Sequence, residues 1–218
     1  MASSVIEISN RALGRIGIDQ LIESFDDPNN RARNCKLQYE PCRDEVLQDF
    51  PWNFAQTSVQ LSLVSGVTVP GWRHAYRYPD GALKVHRITG PDGARIYGMA
   101  GYTQEVWDYD FLFPAKVPFQ IMADPVTEGA RLLVTDLNLA CAWFTKKISD
   151  PSQFSPLFRS ALSWRMAMEL GLSLKASPPL YNNAAQQYGW AVSQAQVGSL
   201  GEEQTDRYPQ SPATQARY

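Results

Sequence analysis

The chain has 218 residues, 44% of them hydrophobic and 19% charged, the balance of a globular protein with room for one large domain or a body with one insertion. A chain of this length buries roughly 70% of its unfolded surface, so no metal or disulfide staple is required. The formal net charge of −2 argues against a general nucleic-acid binder, whose affinity comes from Lys and Arg on phosphate, but leaves room for DNA to pass without sticking.

The spacing predicts a first helix from about Ser4 to Leu13 or Ile16. Ser4 followed by Glu7 is a capping-box pattern, in which two side chains satisfy orphan amides reciprocally. Val5, Ile8, Ala12 and Ile16 form an apolar stripe, and Gly14 and Gly17 bracket its end. A second helix is expected from Pro28-Asn29 to about Asp49, capped by Asp26 or Asp27 with Pro28 in the first turn. Ala32, Cys35, Tyr39, Cys42, Val46 and Phe50 recur along it at three- and four-residue steps, Pro41 predicts a kink, and Pro51 ends it.

From Trp52 to Ile148 the texture changes to short runs of Val, Thr, Tyr and Trp between Gly and Pro. Strands are expected at 56–63, 83–88, 94–99, 104–107, 131–135 and 142–148. Pro79-Asp80-Gly81 and Pro91-Asp92-Gly93 read as turns. No helix-length crossover separates the strands, so the sheet is expected to be antiparallel. Helices return after Asp150-Pro151, and Ser155-Pro156 and Ser177-Pro178 each place a cap before a helix-starting proline. The third helix, about Pro156 to Leu174, is apolar nearly all round and is expected to lie centrally. The fourth, about Pro178 to Val197, carries small residues that permit close helix approach. Residues 201–218 have little to bury and are expected to be extended or disordered alone.

The fold class is thus α+β: about four long helices from both chain ends forming a helical bundle, a mainly antiparallel β domain inserted between them, and an extended C-terminal tail. The expected organisation is 1–51 helical, 52–149 β-rich, 150–200 helical and 201–218 tail. The start has no basic and apolar leader pattern, and no window reaches the ~20 apolar residues of a membrane span. Cys35, Cys42 and Cys141 are an odd number. Cys35 and Cys42 share a helix face but stand about 10 Å apart, too far for a disulfide, so a reducing compartment is the simpler reading.

Little in the chain points to catalysis. His74 and His86 are the only histidines, and no metal-ligand spacing surrounds them. Cys35 with Cys42, Asp26 with Asp27, and Asp108 with Asp110 read as core residues, a cap and solvated loop positions rather than as a metal, redox or acid–base pair. Gly90, Gly93, Gly98 and Gly101 lack the context of a phosphate loop. No catalytic, cofactor or metal site is expected.

The most unusual feature is the aromatic set Trp72, Tyr76, Tyr78, Tyr97, Tyr102, Trp107, Tyr109, Phe111 and Phe113, interleaved with Arg73, Arg77, Arg87 and Arg95. Three readings compete: β core alone, core plus a protein-contact surface, or a stacking platform for single-stranded nucleic acid.

Several motifs together resemble the head-to-tail adaptor of short-tailed bacteriophages, the tail tubular protein A type. They are the opening Ile6-Glu7-Ile8-Ser9-Asn10-Arg11-Ala12-Leu13-Gly14-Arg15-Ile16-Gly17; the run Ala32-Arg33-Asn34-Cys35, Tyr39, Arg43-Asp44-Glu45-Val46-Leu47 and Pro51-Trp52-Asn53-Phe54-Ala55; then Trp72, Ala75-Tyr76-Arg77-Tyr78-Pro79 and Leu83-Lys84-Val85; and Asp150-Pro151, Phe154, Leu157-Phe158 and Ala161-Leu162. They cover about Val5 to Ala195. The family often has Asp-Cys where this chain has Asp80-Gly81-Ala82, and no motif matches the C-terminal tail.

The resemblance implies a structural virion protein of a podovirus neck, assembled in the host cytoplasm. It implies a homo-oligomeric ring, usually of twelve copies, that joins the portal protein to the tail nozzle protein. The ring continues the channel through which genomic DNA passes without specific binding. A ring needs two heterologous faces per subunit so that rotation closes. In this reading the tail, with Arg207, Tyr208, Pro209, Arg217 and Tyr218, reaches the portal. The β domain, with Tyr97, Tyr102, Trp107, Tyr109 and Phe111, faces the nozzle. The rivals are another tail or neck component such as a gatekeeper or stopper, a single-stranded nucleic-acid-binding module, and a hydrolase acting during infection.

Overall fold

Helix α1 (Val5–Arg15) starts where Ser4 stops being extended. The Ser4 hydroxyl accepts the Glu7 amide at 3.1 Å, satisfying one of the orphan donors of a helix start. Ile8, Ser9, Ala12 and Leu13 are buried on one face, with Ile16 just beyond. Gly17 takes φ +78, the left-handed turn that closes the helix. Helix α2 (Asn30–Asp49) starts later than the sequence predicts. Its cap is Asn29, whose Oδ1 accepts the Ala32 amide at 2.8 Å. Asp27 instead accepts the Glu23 amide, and Asp26 pairs with Lys36 at 2.7 Å. Pro28 therefore precedes the helix rather than opening it. The predicted stripe Ala32, Cys35, Tyr39, Cys42, Val46 is buried, and Pro41 lies inside the helix.

This computed structural model describes residues 4–90, 117–174 and 177–202. Among them are four helices and two small antiparallel sheets of three strands each, a mixed α+β chain. Two compact units divide it, Met1–Val46 with Pro151–Tyr218, and Leu47–Asp150.

In the first unit, α3 (Pro156–Ser173) begins at a Ser155 cap, with the Ser155 hydroxyl accepting the Phe158 amide at 3.2 Å. It buries Phe158, Ala161, Leu162, Met166, Ala167 and Leu170 and packs against α1 and against α4 (Pro178–Glu202). The helix is exposed only at its ends, where Leu157 and Leu172 are 41% and 63% exposed; from Phe158 to Gly171 every residue is buried or half-buried. Helix α4 continues through Glu202, past the predicted end near Val197. Gly198 of α4 lies against α3: a Cβ there would stand 3.4 Å from Leu157 Cδ1, an ordinary van der Waals contact.

The second unit begins with β1 (Gln56–Gln60), β2 (His74–Arg77) and β3 (Ala82–Thr89). It continues with β4 (Phe119–Ala123), β5 (Arg131–Thr135) and β6 (Cys141–Lys146). One sheet has the order β1-β6-β3 and the other β2-β5-β4. The predicted strand 56–63 is shorter because the chain changes sheets there. Leu61 donates to Ala140 beside the first sheet, and Arg77 of the second donates back to Ser62. Leu61, Tyr76, Tyr78, Val85, Ile88, Leu133, Ala142 and Phe144 from both sheets share one core. The Pro79–Ala82 turn closes with an Ala82 amide bond to the Pro79 carbonyl, and Gly81 takes φ +70 there. The predicted strands at 94–99 and 104–107 and the turn at 91–93 lie outside the described residues.

Candidate functional site: an uncharged helix face and an arginine pocket

The residues expected to meet the nozzle, Tyr97, Tyr102, Trp107, Tyr109 and Phe111, lie outside the described residues. So do Arg207, Tyr208, Pro209, Arg217 and Tyr218 of the expected portal contact, and Asp108 and Asp110. The described part of the aromatic set is mostly core. Tyr76 and Tyr78 are buried, and the Tyr76 hydroxyl donates to the Leu137 carbonyl at 2.8 Å. Neither ring has an open face on which a base would stack. Arg131 lies over Tyr78 at 3.9 Å and Arg87 over Trp143 at 4.5 Å, cation–π contacts that hold the sheets' surfaces.

The histidines, the paired cysteines and Arg43 have the following surroundings. His86 Nε2 sits 2.7 Å from the Thr145 hydroxyl, and burial, Lys84 and Arg87 all pull its pKa down. It is neutral at physiological pH. The His74 ring lies 6.2 Å from that of Tyr76. Cys35 and Cys42 are free and buried, and burial pushes their thiols up to about 11 and about 12. Thiols so protonated are poor nucleophiles. Buried Arg43 donates Nε to Asp44 at 2.9 Å, with Nη2 a further 2.8 Å charge contact. Among the described residues no group of three His, Cys, Asp or Glu side chains could hold a metal ion. No described helix is long and apolar enough to cross a membrane.

Two features of the helical unit were not singled out from the sequence. The first is α4. Between Lys175 and Glu202 the chain has no charged residue. Ala184, Ala191 and Ala195 form the buried side of α4, which packs on α3. The outer side carries exposed Asn183, Gln186, Trp190, Gln194 and Val197 at helical spacing. Trp190 and Val197 are 61% and 66% exposed. A solvated helix face normally carries charge, whereas the cores of protein contacts are depleted in it and enriched in Trp. The missing charges were visible in the sequence; that they lie on an exposed face required the fold.

The second feature is the crossing of α1 and α3. Arg15 Nη1 donates to the Ser160 carbonyl at 2.9 Å and to the Ser163 hydroxyl at 2.6 Å. Its Nη2 donates to the Ser160 hydroxyl at 3.2 Å, and the guanidinium lies 3.7 Å over the Trp164 ring. Burial, then repulsion from Arg11, disfavour its charged form, although a guanidinium stays charged throughout the range in which proteins fold. Beside it Glu7, Ile8, Arg11, Pro156 and Arg159 line a shallow pocket of about 230 Å³. On the α2–α3 side, Arg165 joins Glu45 at 2.7 Å and Glu169 at 3.2 Å.

No family model matches the chain, and no curated protein matches it.

Proposed function

We propose that the protein is a structural assembly component rather than an enzyme, and specifically a head-to-tail adaptor of a short-tailed phage. Its copies form a ring, twelve by the family resemblance, between the portal and the tail nozzle, and the ring continues the DNA channel. The helices of both chain ends act as a bundle that makes the ring wall. The β domain faces the nozzle, and the tail from Gly201 onward reaches the portal.

The observation that carries this reading is the uncharged outer face of α4, with Trp190 exposed at its middle. A long exposed surface without charge is a poor solvent face and a good protein contact. The sequence motifs quoted above supply the particular family.

The test is the mass of the purified protein, alone and with its cognate portal protein. A small species that becomes a ring on the portal is the expected result. A protein that ignores the portal contradicts the adaptor role. Deleting residues 201–218 is expected to weaken portal binding, and unchanged assembly would remove the tail from the account.

A further inference from the structure

Strand β1 lies at an edge of its sheet, with β6 on one side only. The Leu61 amide donates to the Ala140 carbonyl at 2.8 Å, in the same register that pairs Val59 with Ala142. Antiparallel ladders bond alternate residues. Thr57, Val59 and Leu61 therefore turn their backbone groups to β6, and Ser58, Gln60 and Ser62 turn theirs outward. The outward side is used a little further along: the Ser62 carbonyl accepts the Arg77 amide at 2.9 Å, and the Val64 amide donates to Ala75 at 2.8 Å. Before that point no described strand takes up Ser58 or Gln60, and the residues from Ser58 to Gln60 are exposed. Edge strands are ordinarily guarded by charge, proline or bulges. The opposite edge of the same sheet is guarded: β3 carries Lys84 and Arg87 and breaks register between Ala82 and Lys84 and again between Val85 and Arg87. β1 has no such guard. It is Gln-Thr-Ser-Val-Gln in unbroken register, within a stretch free of charged residues from Phe50 to Trp72.

We propose that the β1 edge receives an extended, uncharged arm of another polypeptide as a further strand of this sheet. The backbone groups of Ser58 and Gln60 hold the arm. Val59, 44% exposed, stands between them at the non-bonded position, where side chains of neighbouring strands come closest, so the arm carries a β-branched residue there. A charge on the arm at that place finds no counter-charge in β1. The occupant is a free arm because β2 takes the same edge from Ser62 onward. The vacant stretch beside Gln56–Gln60 is about 17 Å long, too short for the edge of a broad sheet. A second copy of β1 does not fit. Paired about Val59, the copy's Ser62 opposes Gln56, and the copy's Arg77, which already stands across from that serine, falls on the place of Gln56. The proposal does not rest on the ring, and a failure of either leaves the other standing.

The test uses the full chain labelled with nitrogen-15 and follows backbone amide shifts and hydrogen exchange. The probe is the blocked peptide acetyl-Ser-Thr-Val-Thr-Gln-amide, compared with a version N-methylated on its three central amides. Saturable shifts and slowed exchange at Ser58 and Gln60 are expected with the first peptide and not with the second. Ser58→Pro removes an outward N–H that β6 does not use, so the melting curve stays near the parent's while the peptide binds about tenfold more weakly. Where Ser58→Pro lowers the melt, Val59→Lys, which leaves the backbone alone, decides in its place. Absence of a saturable shift at Ser58 and Gln60 overturns the proposal, as does equal binding of the N-methylated peptide or of the folded variant. Ser58 and Gln60 amides already protected in the protein alone also overturn it. A mass that rises with concentration then assigns the edge to a second copy, and a constant mass assigns it to this chain's own residues.

Discussion

Replacing Trp190 by Lys puts a charge at the centre of the α4 outer face. The side chain is 61% exposed, so the rest of it is already covered by its own chain. A tryptophan offers about 200 Å² of surface, which leaves ~120 Å² to be covered by a partner. At ~25 cal/mol per Å² that is ~3 kcal/mol per contact, on the order of a hundredfold in affinity. This is an upper figure, because burial converts incompletely into binding, but the lysine adds a desolvation cost in the same direction. The monomer itself should change by no more than about 0.5 kcal/mol, as for other exposed substitutions. Sedimentation velocity over a concentration series, with and without portal protein, reads the association. Thermal melts control for folding. A Trp190→Lys protein that assembles at the same concentration as the parent, with an unchanged melt, refutes the assignment of this face.

Other expectations concern the fold. Phe158 is fully buried and its ring lies 4.7 Å from that of Phe154, so Phe158→Ala should cost about 3–5 kcal/mol by urea denaturation. Gly81→Ala forces a side chain into φ +70 and should cost about 1 kcal/mol in the same assay. Cys35, Cys42 and Tyr39 are acids whose pKa values burial raises to about 11, about 12 and about 12. The unfolded chain therefore loses these protons first, and stability falls as pH rises past the unfolded values. A loss on the order of 3 kcal/mol between about pH 8 and pH 10 should appear in denaturant titrations. Arg15 is shifted in the opposite sense, but a guanidinium stays charged in this range and offsets little.

The parts of the fold that follow local rules were legible in the sequence. Ser4 and Ser155 cap α1 and α3 because a hydroxyl before a helix has amides to bond and nothing else nearby. The strand Arg131–Thr135 was legible from its apolar and β-branched run. Features set by distant partners were not. Nothing local says that the chain leaves one sheet for the other after Leu61, since that depends on Ala140 and Arg77. The two exposed leucines of α3 read as core because periodicity does not tell a helix which neighbours it will lack. Helix α4 outlasts its predicted end, and Gly198 sits there against Leu157, a residue some forty positions away. For the site, the aromatic and arginine set drew the eye by composition, yet Tyr76 and Tyr78 proved to be core. The stretch without charge was quieter and matters more, because charge is the ordinary means of keeping an exposed helix in water.

The central claim is assembly on a portal, and an electron cryomicroscopy reconstruction of the protein bound to its cognate portal protein tests it most directly. The account predicts a closed ring below the portal in which every α4 is covered and every Trp190 is buried against another polypeptide. A bound protein with α4 facing solvent around the whole assembly, or a protein that never joins the portal, contradicts it.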